Sequence, residues 1–236
     1  MKSNRQPEVP QDARQDIWPC LEAPGLAAYC EKALADARGW LAEFISQPNP
    51  AIGRKGAVCP FVEPALQAGT LHLEARRGFA DADLQLVLSL ITEMTMTFAT
   101  IRWPHPNRTM HALVFVLPDL PESRCQLLDD SQASIKPALA ERGLMLGQFH
   151  PRCPEPAARN PGFLVARSPV PMLALRNMAL HDILFLDSEA RCFRAYQARF
   201  GDAYLAHASI SPLFRRLYLQ AEDRFSASTG VSREVR

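Results

Sequence analysis

Apolar residues recur at every third or fourth position in several long segments of the chain, and this spacing predicts amphipathic helices. These segments are residues 26–45, 81–101, 129–142, 177–199 and 212–225. Pro48 and Pro50 follow the first segment and Gly143 follows the third, so we expect those helices to end there. The fourth segment is expected to break near residues 186–188 and to end at Gly201.

Four shorter segments have the pattern of β-strands. Residues 70–76 alternate apolar and polar side chains, whereas residues 110–117 are almost wholly apolar, as in a strand that is buried on both faces. Residues 144–149 and 169–175 complete the set, and prolines in the last segment favour an edge strand or the start of a strand. This order of elements predicts one α+β domain over residues 19–225, with a small, mostly antiparallel sheet of about four strands covered by helices.

Composition narrows the class of protein. The 236 residues are 47% hydrophobic and 22% charged, with a net charge of +1, so there is no basic excess for nucleic acid. No apolar run approaches the ~20 residues that span a bilayer, and the polar start lacks the apolar core of a signal peptide. We therefore expect a cytoplasmic protein that does not bind membranes. Residues 1–18 are predicted to form a loose arm and residues 226–236 a polar tail.

The spacing of cysteines and histidines limits the metal chemistry. The six cysteines form no Cys-x-x-Cys pair and are expected to be reduced thiols. The six histidines form no His-Glu-x-x-His or His-x-His pattern. A structural zinc site is therefore not expected.

His150 is the best single candidate for a functional side chain. It directly follows the predicted strand 144–149 and precedes Pro151, which fixes the local direction of the chain. A side chain at the end of a strand is held firmly by the sheet and still faces open space, where a ligand or catalytic group is useful. We interpret His150 as a metal or heme-iron ligand or a general base. The alternative is a histidine that caps the strand end.

Cys59 and Arg54 lie in one glycine-flanked loop. Cys59 stands at the expected start of a short helix, where the aligned peptide dipoles favour the thiolate. It is therefore a candidate nucleophile or soft metal ligand, and a small buried side chain is the commoner alternative. Arg54, between Gly53 and Gly56, is a candidate ligand of an anionic group, with a solvated surface charge as the alternative.

Three further arginines follow in the chain. Arg159 and Arg167 lie shortly after His150, and guanidinium groups suit carboxylates or propionates. Arg176 ends the last predicted strand. If the strands that end at His150 and Arg176 are parallel, the two side chains share one end of the sheet, and if they are antiparallel they lie at opposite ends. The pattern leaves both arrangements open.

Four stretches carry a resemblance to known proteins. They are GRKGAVCPFV at 53–62, LMLGQFHP at 144–151, RNPGF at 159–163 and SPVPMLALR at 168–176. They resemble a family of uncharacterised bacterial proteins that often occur in natural-product gene clusters, over about residues 50–200. A more distant similarity is to the YqcI/YcgG family, some of whose members are heme proteins that oxygenate nitrogen in small amino compounds.

The YqcI/YcgG similarity implies a heme-dependent oxygenase of a small amine or amino acid in a biosynthetic pathway. His150 is then the axial iron ligand, and Arg54, Arg159 and Arg167 are the predicted heme-binding arginines. Cys59 and Arg176 are the predicted catalytic residues. One alternative is a non-catalytic small-molecule-binding or accessory protein of such a pathway. The other is an acyl transferase or hydrolase that uses Cys59 as its nucleophile. For the protein in general, we expect a homodimer or a complex with a partner enzyme.

Overall fold

A mixed four-stranded sheet forms the centre of the fold. The computed structural model describes residues 24–206 and 210–226. The strands are β1 (Leu71–Ala75), β2 (Ala112–Val116), β3 (Leu144–Phe149) and β4 (Met172–Asn177), in the spatial order β1-β2-β4-β3. β1 and β2 are parallel, whereas β4 is antiparallel to both β2 and β3. The predicted α+β domain with a small, mostly antiparallel sheet is confirmed.

Seven helices in the described residues surround the sheet. They are α1 (Pro24–Trp40), α2 (Val62–Gln67), α3 (Leu84–Thr100), α4 (Gln126–Glu141), α5 (Ile183–Leu186), α6 (Ala190–Leu205) and α7 (Pro212–Ser226). A π-helical turn, Leu41–Ile45, continues α1. The Asp83 carboxylate caps α3 by accepting a 2.8 Å hydrogen bond from the backbone N–H of Leu86. Gly143 follows α4 with a left-handed φ of 74°, which ends the helix and turns the chain into β3.

Successive side chains of each strand point to opposite sides of the sheet, so the sheet has two different faces. One face packs against α3 and α4 through Leu113, Phe115, Leu173 and Leu175. The opposite face carries Val114, Val116 and Met172 and packs against Ala33 and Ala37 of α1. Helices α5 to α7 form a separate apolar cluster that includes Met145 of β3. Helices therefore cover both faces, and the edge strand β3 touches the C-terminal helices.

Two element boundaries differ from the sequence predictions for identifiable reasons. β4 begins at Met172 and not at residue 169, because Pro169 and Pro171 have no N–H to give to a neighbouring strand. Arg176 consequently lies within β4, one residue before its end. Gly201 does not end a helix, because α6 continues through it to Leu205. The predicted break near residues 186–188 is confirmed between α5 and α6.

Some predictions concern residues at the ends of the chain. The predicted arm at 1–18 and residues 227–236 of the predicted tail lie outside the described residues, whereas Ser226 ends α7. Cys30 is disulfide-bonded, so the prediction of six reduced thiols is wrong at that position. Free thiols are found at Cys59, Cys125, Cys153 and Cys192.

In the part of the chain that is described, each helix is too short or too polar to cross a bilayer.

Candidate functional site

A cavity of about 570 Å³ lies against the face of the sheet that α1 partly covers. This volume is within the range of small-molecule sites. Its floor includes Gly147, Ala174 and Val114, which are direct neighbours across β3, β4 and β2. Glycine and alanine occupy little space above the backbone. The sheet is therefore left uncovered at a point where larger side chains would fill the gap between the sheet and the surrounding loops.

The loop that leads into α2 forms one wall of the cavity. The backbone N–H of Cys59 donates a 2.9 Å hydrogen bond to the carbonyl of Ile45 in the π-helical turn. At Gly53, where φ is 74°, an added Cβ would lie only 2.9 Å from the carbonyl oxygen of Arg159. The Asn160 side chain donates a 2.7 Å hydrogen bond to the carbonyl of Ala51. These contacts hold the loop around Arg54 against the loop around Arg159.

A buried ion pair lies at one end of the cavity. Arg176 donates two hydrogen bonds to the Asp182 carboxylate, of 2.8 and 2.6 Å, and Asp182 is fully buried. Asp182 also accepts a 2.7 Å hydrogen bond from the backbone N–H of Ala179. Burial alone would lower the pKa of Arg176, but the adjacent carboxylate outweighs this effect and the pKa is raised. Arg176 is therefore a permanent cation whose position Asp182 determines.

Aromatic rings surround this end of the cavity. The Arg176 guanidinium lies 4.8 Å from the centre of the Phe61 ring, a cation–π contact. The His181 ring makes edge contacts with Phe61 and Phe214, at centroid distances of 5.5 and 5.2 Å. Partial burial lowers the pKa of His181, which favours the neutral imidazole. We call Arg54, Cys59, Phe61, Arg176, His181 and Asp182 the polar end of the cavity.

Cys59 faces the cavity as a protonated thiol. Burial raises its pKa, and the N–H groups of Phe61 and Val62 together with the charge of Arg176 offset this only in part. Within the described chain, no imidazole or carboxylate hydrogen-bonds to the sulfur. The arrangement therefore lacks the adjacent base that normally activates a cysteine nucleophile.

Positive charge predominates on the cavity wall. Arg54 uses its guanidinium to donate 3.0 Å hydrogen bonds to the carbonyls of Lys55 and Val58. Among the described residues, no carboxylate lies within ion-pair distance of Arg54. Arg159 and Lys136 also line the cavity, and Glu155 is the wall's second acidic residue beside the already paired Asp182. An anionic group is therefore favoured inside.

Four of the six predicted site residues line this one cavity. They are Arg54, Cys59, Arg159 and Arg176. Arg167 is exposed and does not line the cavity. His150 does not line it either, because its side chain is directed to Asp129 of α4. Since β3 and β4 are antiparallel, His150 follows the end of β3 opposite Met172, whereas Arg176 pairs with Met145 near the other end. The question of a shared strand end is thus answered: His150 and Arg176 lie at opposite ends of the sheet.

His150 instead belongs to a second cluster, behind the cavity wall. Its Nε2 lies 3.1 Å from Oδ2 of Asp129 on α4, and its side chain is 2% exposed. The fully buried Cys153 directs its thiol to Oδ1 of Asp129 at 3.8 Å and to the backbone carbonyl of Gln148 at 3.7 Å. Burial raises the pKa of Cys153 to about 12. His150, Asp129 and Cys153 each place one possible metal-ligand atom within 4.8 Å of the others.

A sequence pattern existed for one of the two features that the predictions missed. The backbone N–H of Cys153 donates to the carbonyl of His150 at 3.0 Å, so His-Pro-Arg-Cys forms a turn that brings its first and last side chains together. A search for pairs of cysteines or pairs of histidines overlooks this mixed His-x-x-Cys spacing. His181 and Asp182 are readily interpreted as helix-start residues, and only the chain path shows that they also face Arg176.

Comparison with known proteins identifies the family. Residues 34–211 match a domain of unknown function, DUF6875. The chain belongs to the DUF6875 family. This match covers most of the chain and includes every residue of the polar end and of the second cluster. No curated protein and no solved structure matches the chain significantly. The DUF6875 match carries no activity, so any function must be argued from the two clusters themselves.

Proposed function

We propose that this DUF6875 protein binds a small, mainly apolar molecule that carries a carboxylate or another anionic group. The observation that carries this proposal is a 570 Å³ cavity with an apolar floor and with Arg54 at its polar end. The apolar part of the ligand would lie over Gly147 and Ala174 on the sheet. Its acidic group would lie near Arg54 and Arg176, where the positive charges exceed the negative ones.

The charge balance favours an acid over an amine. Asp182 is fully buried and already accepts three hydrogen bonds, two from Arg176 and one from Ala179, so it is not free to bind a ligand's ammonium group. Arg54 donates only to neutral carbonyl groups and keeps an uncompensated charge. An incoming carboxylate would therefore gain a charge-assisted hydrogen bond without displacing an existing ion pair.

Competition between a matched acid and alcohol tests this proposal. Anilinonaphthalene sulfonate, an apolar fluorophore with an anionic group, serves as the reporter, and decanoate and decanol compete for its site. We expect decanoate to displace the reporter at a concentration about 10-fold or more below that of decanol, since a charge-assisted hydrogen bond contributes about 1.5–3 kcal/mol. Equal potency of the acid and the alcohol would contradict an anion site.

The position of the acid is tested with two neighbouring residues. Arg54→Met removes the charge but keeps the length of the side chain, whereas Lys55→Met is the control, because Lys55 is exposed and does not line the cavity. Arg54→Met should weaken decanoate and leave decanol unchanged. If Lys55→Met weakens decanoate equally, the effect comes from the overall charge of the loop and not from the cavity.

The heme-dependent oxygenase remains a prediction of the sequence. An apolar cavity with several arginines suits a macrocycle with propionates, but His150 does not fit as its iron ligand. The His150 imidazole is 2% exposed, directs Nε2 to Asp129 and is not part of the cavity wall. Titration with hemin tests whether the protein binds heme and whether His150 is the iron ligand. A Soret band that disappears in His150→Ala would restore the predicted ligand, whereas a band unaffected by that change would exclude it.

A further inference from the structure

We infer that Asp129, His150 and Cys153 form a binding site for a divalent transition-metal ion of the zinc type. The three side chains come from α4 and from the turn after β3. Nitrogen, sulfur and carboxylate oxygen are the three ligand types that zinc takes in proteins. This site is separate from the proposed acid-binding cavity and does not depend on it.

The spacing of the ligand atoms agrees with a single ion. Zinc bonds of about 2.0–2.3 Å in a tetrahedral arrangement place the ligand atoms roughly 3.3–3.8 Å apart. The observed separations are 3.1 Å between Nε2 of His150 and Oδ2 of Asp129 and 3.8 Å between the Cys153 sulfur and Oδ1 of Asp129. All three candidate ligand atoms lie within 4.8 Å of one another, so a shared ion would draw them from hydrogen-bond distances to coordination distances.

The electrostatics of the cluster also favour a cation. Among the described residues, His150 is the only ion-pair partner of Asp129, whose remaining contacts are the Gln148 amide and the Cys153 thiol. A thiolate, a carboxylate and a neutral imidazole together carry a charge of −2, which a divalent ion balances. When the metal–sulfur bond forms, the Cys153 thiol proton leaves to solvent, so apparent affinity rises with pH.

The imidazole of His150 has a second nitrogen, Nδ1, on the side of the ring away from the Asp129 contact. Nδ1 is buried and has no hydrogen-bond partner in the described part of the chain. Burying such a group without a partner is unfavourable. Nε2 is therefore the nitrogen that faces the carboxylate and the buried thiol, and it is the atom that would bind the ion.

A metal here would fasten the turn after β3 to α4 and stand close to the cavity. Gln148 donates a 3.3 Å hydrogen bond to Asp129 and also lines the cavity wall. Three protein ligands leave one position of a tetrahedral zinc ion for water or another small ligand. The site is therefore one side chain away from the space in which the acid is proposed to bind.

Cobalt spectroscopy of the full-length protein tests the site. The protein is first treated with a chelator and then titrated with Co²⁺ alone, whose bond to a thiolate gives a near-ultraviolet charge-transfer band. We expect the band to saturate at one equivalent and to disappear when Zn²⁺ is added. A wild-type protein that gives no saturable band, or one that Zn²⁺ cannot displace, would overturn the inference without any variant being needed.

Variants then assign the ligands. Cys153→Ser should remove the charge-transfer band, whereas Cys192→Ser, at another fully buried free thiol, should keep it. His150→Ala should weaken Co²⁺ binding by about 100-fold or more, beyond the 10–100-fold typical of residues that only support a ligand. Circular dichroism confirms that each variant is folded. A folded Cys153→Ser protein with an unchanged band would show that the ion binds elsewhere.

Discussion

At the scale of single residues, Cys59 lines the cavity, but its thiol is expected to react slowly. Burial raises the pKa of its thiol above the usual value, so the thiolate is scarce at neutral pH. We expect iodoacetamide to alkylate Cys59 slowly at pH 7, with a rate that still increases above pH 9. Peptide mass spectrometry at a series of pH values measures this. A rate that levels off below pH 8.5 would instead support the cysteine-nucleophile alternative.

The Arg176–Asp182 pair makes a second prediction at this scale. Asp182→Asn leaves a largely buried guanidinium without its counter-charge, since Arg176 is 20% and Asp182 0% exposed. Loss of one partner of a buried pair costs about 3–5 kcal/mol, which urea denaturation measures as a lower free energy of unfolding. The control is Glu141→Gln, which breaks the exposed pair with Arg191 and should change stability little because solvent screens it. Equal effects of the two changes would contradict this account of the buried pair.

At the scale of elements, the cavity exists because the side chain in the middle of β4 is small. Ala174 lies between Gly147 of β3 and Val114 of β2, and its half-exposed side chain faces the cavity. Ala174→Phe should fill that space and abolish displacement of anilinonaphthalene sulfonate by decanoate, with native circular dichroism. The matched control is Ala133→Phe on the exposed side of α4, which should bind as the wild type does. Retained binding in Ala174→Phe would place the ligand elsewhere.

Element patterns predicted the fold better than the site. β3 spans Leu144–Phe149 as its apolar run and the flanking Gly143 and His150 indicate, and α3 lies within the predicted helical segment 81–101. Such features are local, so the sequence shows them directly. The distance between His150 and Arg176 depends on whether β3 and β4 are antiparallel, and the long loop between them permits either direction. Nothing in the period of apolar residues specifies that choice.

At the scale of the whole molecule, one strand connects all the apolar clusters. β3 contributes Leu144 and Leu146 to the cluster with α3 and α4, Met145 to the cluster of α5–α7, and Phe149 to the cluster with α1. The cavity and the Asp129 cluster also meet at β3, through Gln148. The two candidate sites are thus placed by the same edge strand, although their residues are far apart in sequence.

This shared strand predicts that the domain unfolds as a unit. Since no apolar cluster is complete without β3, loss of β3 removes part of every cluster at once. Far-ultraviolet circular dichroism reports all helices, whereas Trp40 reports the cavity side and Trp103 the side packed against α3. In urea, these signals should give one common midpoint when Trp18→Phe is combined with either Trp40→Phe or Trp103→Phe, so that each protein keeps one of the chain's three tryptophans. A circular dichroism transition that begins at a lower urea concentration than both tryptophan transitions would contradict this. It would indicate that the C-terminal cluster of α5–α7 is an independent unit.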